Sequence, residues 1–354
     1  MKTIGGRNGW AATNAHASAA LRLGIAGVLL LALPGGSEAD FDDFCSQTAR
    51  TQLEACRREV RDGRYTEKAI CINIPDTAER NACLVESRIV RGEGLQLCRE
   101  QFDARDEVCE LLGEDRYAPD FSPGNFDDDF TNLTNPNPYF PLRIGNRWEY
   151  AGGNETVTVE VLNQTKLIEG VTCIVVNDLV KVAGKTKEDT DDWYGQRKDG
   201  TVDYCGESVT DFETFAGDNP EAAELVSIEG SWKTGRDGAK PGIRLPGAPN
   251  VGNVHRQEFF PGDAEDLAEV LSTTYGFGAN PQLDAFVPQA LAQLLCANDC
   301  VVTREFTPIE PGADARKYYA RGIGQFLEVK PDTGEVVQLT DCNFDPKCAA
   351  LPAP

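Results

Sequence analysis

The chain has 354 residues, of which 57 are acidic and 34 basic, so its formal net charge is −23. A surface this acidic repels nucleic acid and anionic lipid, so we expect no nucleic-acid partner. The two histidines, His16 and His255, are too few for a metal site built from several imidazoles. The length exceeds one ordinary domain and predicts two.

Residues 1–39 have the pattern of a Sec-type signal peptide. A basic start precedes an apolar run at residues 23–34, and small residues at positions 37 and 39 predict cleavage after Ala39. This run is shorter than a helix that spans a bilayer, which needs about 20 apolar residues. We therefore expect a periplasmic or secreted protein that does not span the membrane. The alternative is an uncleaved N-terminal anchor.

Six cysteines follow this leader in a nearly symmetrical ladder, with spacings of 11, 15, 12, 15 and 11 residues: Cys45, Cys56, Cys71, Cys83, Cys98 and Cys109. After an export signal, such a ladder predicts disulfides formed where thiols oxidise. Zinc sites use paired C-x2–4-C spacings and haem attachment uses C-x-x-C-H, and the ladder contains neither. The sequence therefore predicts a disulfide framework and no metal site here.

The cysteine-rich module, residues 40–116, has the composition of helices. We predict three of them, at 42–61, 76–91 and 95–113, the third beginning after Gly94. Cysteines 11 residues apart on one helix are separated by about 16 Å and cannot bond. A hairpin of the first two helices would pair Cys56 with Cys71 and Cys45 with Cys83. Cys98 and Cys109 would then lack partners, so the connectivity stays open.

The second half of the chain has the pattern of a β domain. Residues 117–140 are rich in Pro, Asn and Asp and predict a linker or an extended strap. Residues 141–341 contain short β-branched runs between tight turns, and 342–354 form a tail. Strands are predicted at 147–150, 155–162, 171–182, 186–194, 201–205, 225–232, 254–260, 301–307, 317–320, 325–329 and 335–339.

Two helices, at 263–271 and 288–295, complete the predicted elements. The fold class is therefore α+β, with an N-terminal disulfide-stapled helical module followed by a curved, mostly antiparallel β domain. The regular spacing of the strands predicts a barrel-like or half-barrel form for that domain.

Residues 137–150 read NPYFPLRIGNRWEY and carry the pattern YFPL-x-x-G-x-x-W-x-Y. Together with DWY at 192–194, GSW at 230–232 and KYY at 317–319, this pattern resembles a group of uncharacterised exported bacterial proteins. The resemblance covers about residues 137–340. It implies a bacterial envelope setting and transfers no functional residue. A wider resemblance to curved-sheet lipid-carrier domains implies a concavity for an apolar ligand.

Four aromatic residues on predicted strands are candidates for the β-domain core or for a ligand site: Trp148, Trp193, Trp232 and Tyr318. Aromatic side chains at strand positions are usually part of a core, and we favour that interpretation.

Six further cysteines lie in the β domain and tail. Cys296 with Cys300, and Cys342 with Cys348, are close enough in sequence for two local disulfides or for a cross-link to the tail. Cys173 and Cys205 lie on separate predicted strands, and their partners stay open.

The sequence contains no G-x-S-x-G elbow, no Walker A sequence and no dinucleotide fingerprint. A hydrolase could use the carboxylates of Glu258, Asp263 and Glu265 with His255, because two suitably separated carboxylates are enough for glycoside hydrolysis. The catalytic residues of such an enzyme stay unknown, and we expect no cofactor.

Calcium is the metal for which the sequence offers oxygen ligands. Residues 127–129 are three consecutive aspartates, and further aspartates occupy positions 189, 191 and 192. Calcium prefers such hard oxygen donors, but neither group fits the EF-hand loop.

These patterns predict an exported bacterial binding or envelope-associated structural protein without catalysis. Its partner would be an apolar small molecule held in the β domain, or a component of the envelope. The alternative is the secreted hydrolase.

Overall fold

The computed structural model describes residues 43–354, and the predicted signal peptide lies outside them. Three α-helices are present: α1 (Phe44–Ile72), α2 (Thr77–Leu112) and α3 (Gln289–Leu295). The strands are β1 (Arg147–Gly152), β2 (Glu155–Ile168), β3 (Val171–Val182), β4 (Lys185–Gln196), β5 (Val202–Thr214), β6 (Ala223–Ser227), β7 (Trp232–Lys233), β8 (Lys240–Leu245), β9 (Val254–Arg256), β10 (Glu258–Phe259), β11 (Leu267–Tyr275), β12 (Cys300–Phe306), β13 (Asp314–Ala320), β14 (Gly324–Val329) and β15 (Val336–Cys342). The predicted fold class is confirmed.

The helical module consists of two long helices, so the prediction of three was wrong. Asp76 begins α2, because its carboxylate accepts hydrogen bonds from the backbone N–H groups of Ala78 and Glu79 at 2.9 and 2.8 Å. Gly94 lies inside α2 and does not end a helix. A Cβ at this position would come within 3.0 Å of the Val60 side chain. The glycine therefore lets α1 and α2 pack closely.

Three nested disulfides join the two helices: Cys45–Cys109, Cys56–Cys98 and Cys71–Cys83. The pairs predicted from a hairpin of shorter helices, Cys56–Cys71 and Cys45–Cys83, are not formed. Nested pairing in an antiparallel hairpin requires the same spacings on both helices, which is why the ladder is nearly symmetrical. The hairpin buries few large apolar side chains, so the disulfides replace a core.

All strands belong to one antiparallel sheet of 15 strands, in the order β10-β8-β5-β4-β3-β2-β1-β15-β14-β13-β12-β11-β9, with β6 and β7 paired to β5 off this path. The two ends of the order, β10 and β9, are separated along the chain by Gln257 alone. The sheet therefore curls until its edges meet at one residue. This nearly closed form agrees with the predicted barrel-like domain.

The closure requires a glycine on β8, a strand that the sequence analysis did not predict. A Cβ on Gly242 would overlap the backbone carbonyl of Gln257, so the two chain segments can approach this closely only at a glycine. Proline and glycine are both unfavourable inside a strand, yet Pro241 and Gly242 lie on β8, and Glu258 pairs with Pro241 across β10 and β8.

One of the two helices predicted in the β domain was wrong and the other is confirmed. Residues 263–271 lead into β11, which pairs with β9 on one side and β12 on the other. Leu267, Ala268 and Val270 are fully buried there. Pairing on both sides outweighs the helical preference of the sequence DAEDLAEVL. The helix predicted at 288–295 is α3.

Residues 117–140 run along the sheet as an extended strap. Phe126 and Phe130 are buried against it. The Asp127 backbone N–H donates to the Gln196 carbonyl at 2.9 Å, and Asn137 donates to the Gly200 carbonyl at 2.8 Å. The strap therefore closes one side of the β domain.

Candidate functional site

The inner side of the curled sheet lines a cavity of about 380 Å³ that is partly open to solvent, which we call the chamber. Side chains alternate between the two faces of a strand, so every second residue of β2, Glu155, Val157 and Val159, faces it. The same alternation on β4 contributes Glu188, Thr190, Asp192 and Tyr194 to the lining. The volume lies within the range of small-molecule sites, about 300–1,000 Å³.

Aromatic rings form part of the chamber wall. Tyr194 stacks on Tyr204 with ring centroids 4.8 Å apart, and Phe140 meets Tyr194 edge-on at 5.0 Å. The indole N–H of Trp148 donates to the Ile323 carbonyl at 2.7 Å, and the Tyr150 hydroxyl donates to the Gln325 carbonyl at 3.0 Å. These hydrogen bonds hold the rings of Trp148 and Tyr150 in fixed positions.

The chamber lining is strongly acidic. Two cationic side chains, Arg244 and Lys317, face it. The carboxylates in the lining are those of Glu155, Asp178, Glu188, Asp192, Glu207, Glu258, Asp266, Glu305 and Glu328.

Glu305 binds both cationic side chains. Its carboxylate lies 3.2 Å from Arg244 Nη1 and 2.8 Å from Lys317 Nζ, and it accepts a hydrogen bond from the Tyr319 hydroxyl at 3.0 Å. Burial alone would raise the pKa of Glu305, but Arg244 and Lys317 outweigh it and hold this pKa well below its usual range. Lys317 also lies 3.8 Å from Glu328. The other carboxylates of the lining have no ion-pair partner among the residues that the structure describes.

Tyr204 lies between two of these carboxylates. Its hydroxyl is in short hydrogen-bond contact with Asp192 and lies 3.0 Å from Glu207 Oε2. The hydroxyl has one proton and can donate to one carboxylate only, so the second contact needs a proton on a carboxyl group. Burial, followed by the Asp192 charge, raises the pKa of Glu207 well above its usual range. This raised pKa favours Glu207 as the group that holds the proton.

Glu258 and Asp178 face the chamber without partners of their own. Glu258 is only 9% exposed, and no residue of the described chain donates a hydrogen bond to its carboxylate. Asp178 Oδ1 is buried and likewise has no hydrogen-bond partner among residues 43–354. Burial, with the nearby Asp266 and Glu207, raises the pKa of Glu258 well above its usual range. Burial and the charge of Asp192 raise the pKa of Asp178 to about 8.

Most of the aspartates considered as calcium ligands already accept hydrogen bonds within the protein. Asp127 accepts two from Thr134, at 2.9 and 2.6 Å, and Asp129 accepts two from Thr131. Asp189 accepts one from Asn177 at 2.7 Å. Across residues 43–354, no three or more Asp, Glu, His or Cys side chains are grouped closely enough to hold a metal ion.

The four residues suggested for a hydrolase do not converge. Glu258 faces the chamber, whereas Asp263 is exposed. Glu265 accepts two hydrogen bonds of 2.8 Å from Arg105 and so joins α2 to the β domain. His255 is buried, both of its ring nitrogens lack partners in the described part of the chain, and burial lowers its pKa to about 4. His255 is thus neutral at pH 7 and lies outside the chamber lining.

Of the four aromatic candidates, Trp148 lines the chamber and the other three pack elsewhere. Trp193 is buried in a second cluster on the outer side, beneath the Lys166 ammonium at 3.3 Å from its ring. Trp232 packs edge-on against Tyr204 at 5.3 Å. The Tyr318 hydroxyl donates to the Leu283 carbonyl at 2.6 Å.

The cysteines of the β domain and tail form three disulfides. Cys296–Cys300 and Cys342–Cys348 are local, which is one of the two arrangements considered from the sequence. Cys173–Cys205, for which no partners were assigned, joins β3 to β5 across β4. All twelve cysteines are therefore paired, which indicates a protein that folds outside the reducing cytosol.

Asp178, Glu207, Arg244 and Lys317 were not identified as site residues from the sequence. A signal was present on β4, where every residue from Lys185 to Asp192 is polar, so that both faces of the strand, including the inner one, carry polar side chains. No such pattern marks Arg244 or Lys317, which are brought to the chamber by strands distant in the sequence.

No protein-family model and no curated protein matches the chain. Among solved structures, it is similar to a "putative exported protein with YmcC-like fold" from Bacteroides fragilis, with 12% identity and a TM-score of 0.30. The match covers 58% of this chain and 98% of that one. Within residues 43–354, none of the helices combines the length and apolarity that a bilayer crossing requires.

Proposed function

We propose that this is an exported binding protein without a catalytic role, which holds a small ligand in the chamber inside its sheet. The observation that carries this proposal is the chamber itself, where Glu258 is nearly fully buried and has no hydrogen-bond partner among the described residues. Buried polar groups are normally satisfied by protein or by a bound group. A ligand donating a hydrogen bond to Glu258 would supply what the fold leaves out.

Only part of the chamber wall is apolar and so supports the apolar ligand expected from the sequence. Phe140, Trp148, Val157 and Val159 offer apolar surface, but the carboxylates occupy the same cavity. A purely apolar molecule would bury these carboxyl groups without partners, which is unfavourable. A ligand with both an apolar body and a polar group suits the chamber better.

Ligand-observed NMR tests the proposal with three probes of the same shape, 3-phenylpropanol, 3-phenylpropylamine and 3-phenylpropanoate. The variant Val159→Phe fills the chamber from β2, and Leu167→Phe places the same ring on an exposed position of the same strand. We expect at least one probe to bind the wild type and Leu167→Phe, and to lose binding in Val159→Phe. Absence of binding by all three, or binding unchanged in Val159→Phe, would overturn the proposal.

The hydrolase alternative has less support, because Glu258, Asp263, Glu265 and His255 do not share one site. Carboxyl groups with raised pKa values in a cavity also occur in enzymes, so the alternative deserves its own assay. Hydrolysis of a polysaccharide or ester panel that is lost in Glu258→Gln would favour it over the binding role.

We also propose that the protein is exported from the cytosol. The disulfides support export, and cell fractionation of the tagged full chain would place the protein in the periplasm or the medium. Retention in the cytosolic fraction with free thiols would contradict export.

A further inference from the structure

We propose that the ligand of the chamber is an organic cation, with an ammonium head that contacts Glu258 and an apolar body that lies against the aromatic wall, while Asp178 adds negative charge to the same lining. This inference rests on the proposed function and names the class of its ligand. It depends on the unpartnered state of Glu258, on the charge balance of the lining, and on the absence of a group of metal ligands among residues 43–354.

The charge balance favours a cation. Glu305 binds the two cationic side chains of the lining, Arg244 and Lys317, at 3.2 and 2.8 Å. Glu305, together with Glu328 at 3.8 Å from Lys317, balances these two positive charges, and neither cation forms an ion pair with Glu258 or Asp178. A ligand that brings positive charge would supply the missing partner, whereas an anionic ligand would add to the repulsion.

Asp178 and Glu258 instead favour their protonated forms when no cation is present. Burial raises the pKa of Asp178 to about 8 and that of Glu258 well above its usual range. An ammonium group at hydrogen-bond distance would stabilise the charged carboxylates and displace these protons.

The spacing of the carboxylates favours an organic ion over a metal ion. Within residues 43–354 no three or more potential ligands lie close enough to hold a metal. An ammonium group needs fewer hydrogen-bond acceptors than a metal ion needs ligands. The organic body attached to it would also fill part of the chamber. The faces of aromatic rings attract such cations, and Tyr194 and Tyr204 stack beside Asp192 in the same lining.

Isothermal titration calorimetry with the same three probes tests this inference. We expect the amine, which is protonated at pH 7, to bind the wild type at least tenfold more tightly than the alcohol, and the carboxylate to bind most weakly. Glu258→Gln should reduce the affinity for the amine at least tenfold and leave the affinity for the alcohol unchanged. Glu224→Gln removes an exposed carboxylate from β6 and should change neither.

Equal affinities for the amine and the alcohol would overturn the inference and leave the proposed function standing. Absence of binding by every probe would overturn both. If Glu258→Gln does not fold, Asp178→Asn serves in its place, and an unchanged preference for the amine in that variant would equally contradict the role given to these two carboxylates.

Discussion

Arg244 lies 3.2 Å from Glu305 in the chamber, where most of the other carboxyl groups of the lining have no ion-pair partner among residues 43–354. Gln257, the residue at which the sheet closes, donates to the same carboxylate at 3.2 Å. The pair therefore ties the closure of the sheet to the charge balance of the chamber. The other carboxyl groups of the chamber lining are therefore available to bind protons or a ligand.

Removing this carboxylate should destabilise the fold strongly. Glu305→Gln leaves Arg244 and Lys317 without their main partner in a buried site, and we expect it to lower the free energy of unfolding by about 3 kcal/mol. Urea denaturation at pH 7 measures the change. Glu328→Gln is the matched control, because Glu328 lies 3.8 Å from Lys317 and is more exposed, and it should cost less than about 1 kcal/mol. Equal losses in both variants would contradict this role of Glu305.

The part of the stability that depends on Asp178 should fall as the pH rises from 5 to 8. The pKa of Asp178 is raised to about 8 in the folded protein from 3.8. The folded state therefore holds this proton more tightly, and the resulting stability is complete below pH 3.8 and is lost as the pH approaches 8. Asp178→Asn should make the fall smaller by at least about 1.4 kcal/mol. Denaturation curves across this pH range measure it, and the exposed Asp218→Asn should behave like the wild type.

The attachment of the helical hairpin, α1 and α2, to the β domain should depend on one buried ion pair. Arg105 on α2 donates two hydrogen bonds of 2.8 Å to Glu265, and both side chains are buried. Arg105→Ala leaves the Glu265 carboxylate unpaired and should cost about 3–5 kcal/mol. Arg57→Ala breaks an exposed pair with Glu54 and should cost less than about 1 kcal/mol. Urea denaturation compares the two, and similar losses would show that the buried pair is not the anchor.

The middle disulfide of the hairpin should stabilise the protein more than the local disulfide of the β domain. Cys56–Cys98 closes a separation of 42 residues, and Cys296–Cys300 closes one of 4. Loop-closure entropy predicts losses of about 4 and about 2 kcal/mol for the two double Cys→Ser variants. Denaturation followed by helical circular dichroism measures both. A larger loss for the local pair would contradict the role of the ladder as a substitute for a core.

Features that depend on residues near one another in the sequence were predicted well. Helix packing and strand pairing, which depend on residues far apart in the sequence, were predicted poorly. The ladder from Cys45 to Cys109 correctly indicated disulfides, but Gly94 was interpreted as a break because a glycine that permits close helix packing resembles one that ends a helix. Residues 263–271 have a helical composition, and only their pairing with β9 and β12 makes them extended.

The candidate site was predictable only in part. Glu258 was identified as a candidate site residue from the sequence. Its proposed partners Asp263 and Glu265 do not line the chamber, because they lie in the turn between β10 and β11 and not on the strand face that carries Glu258. Asp178 reaches the chamber from β3, and no local pattern shows that β3 and β10 lie on one curled sheet. The convergence of these carboxylates is a property of the closure at Gln257.

The most direct test of the chamber as a cation site is the number of protons released when 3-phenylpropylamine binds. Titration calorimetry at pH 7 in two buffers of different ionisation enthalpy gives this number. We predict net proton release from the wild type, because the ammonium group replaces protons on the buried carboxyl groups, and less release from the Glu258→Gln, Asp178→Asn double variant. Binding with the same heat in both buffers would contradict the exchange of protons for a cation.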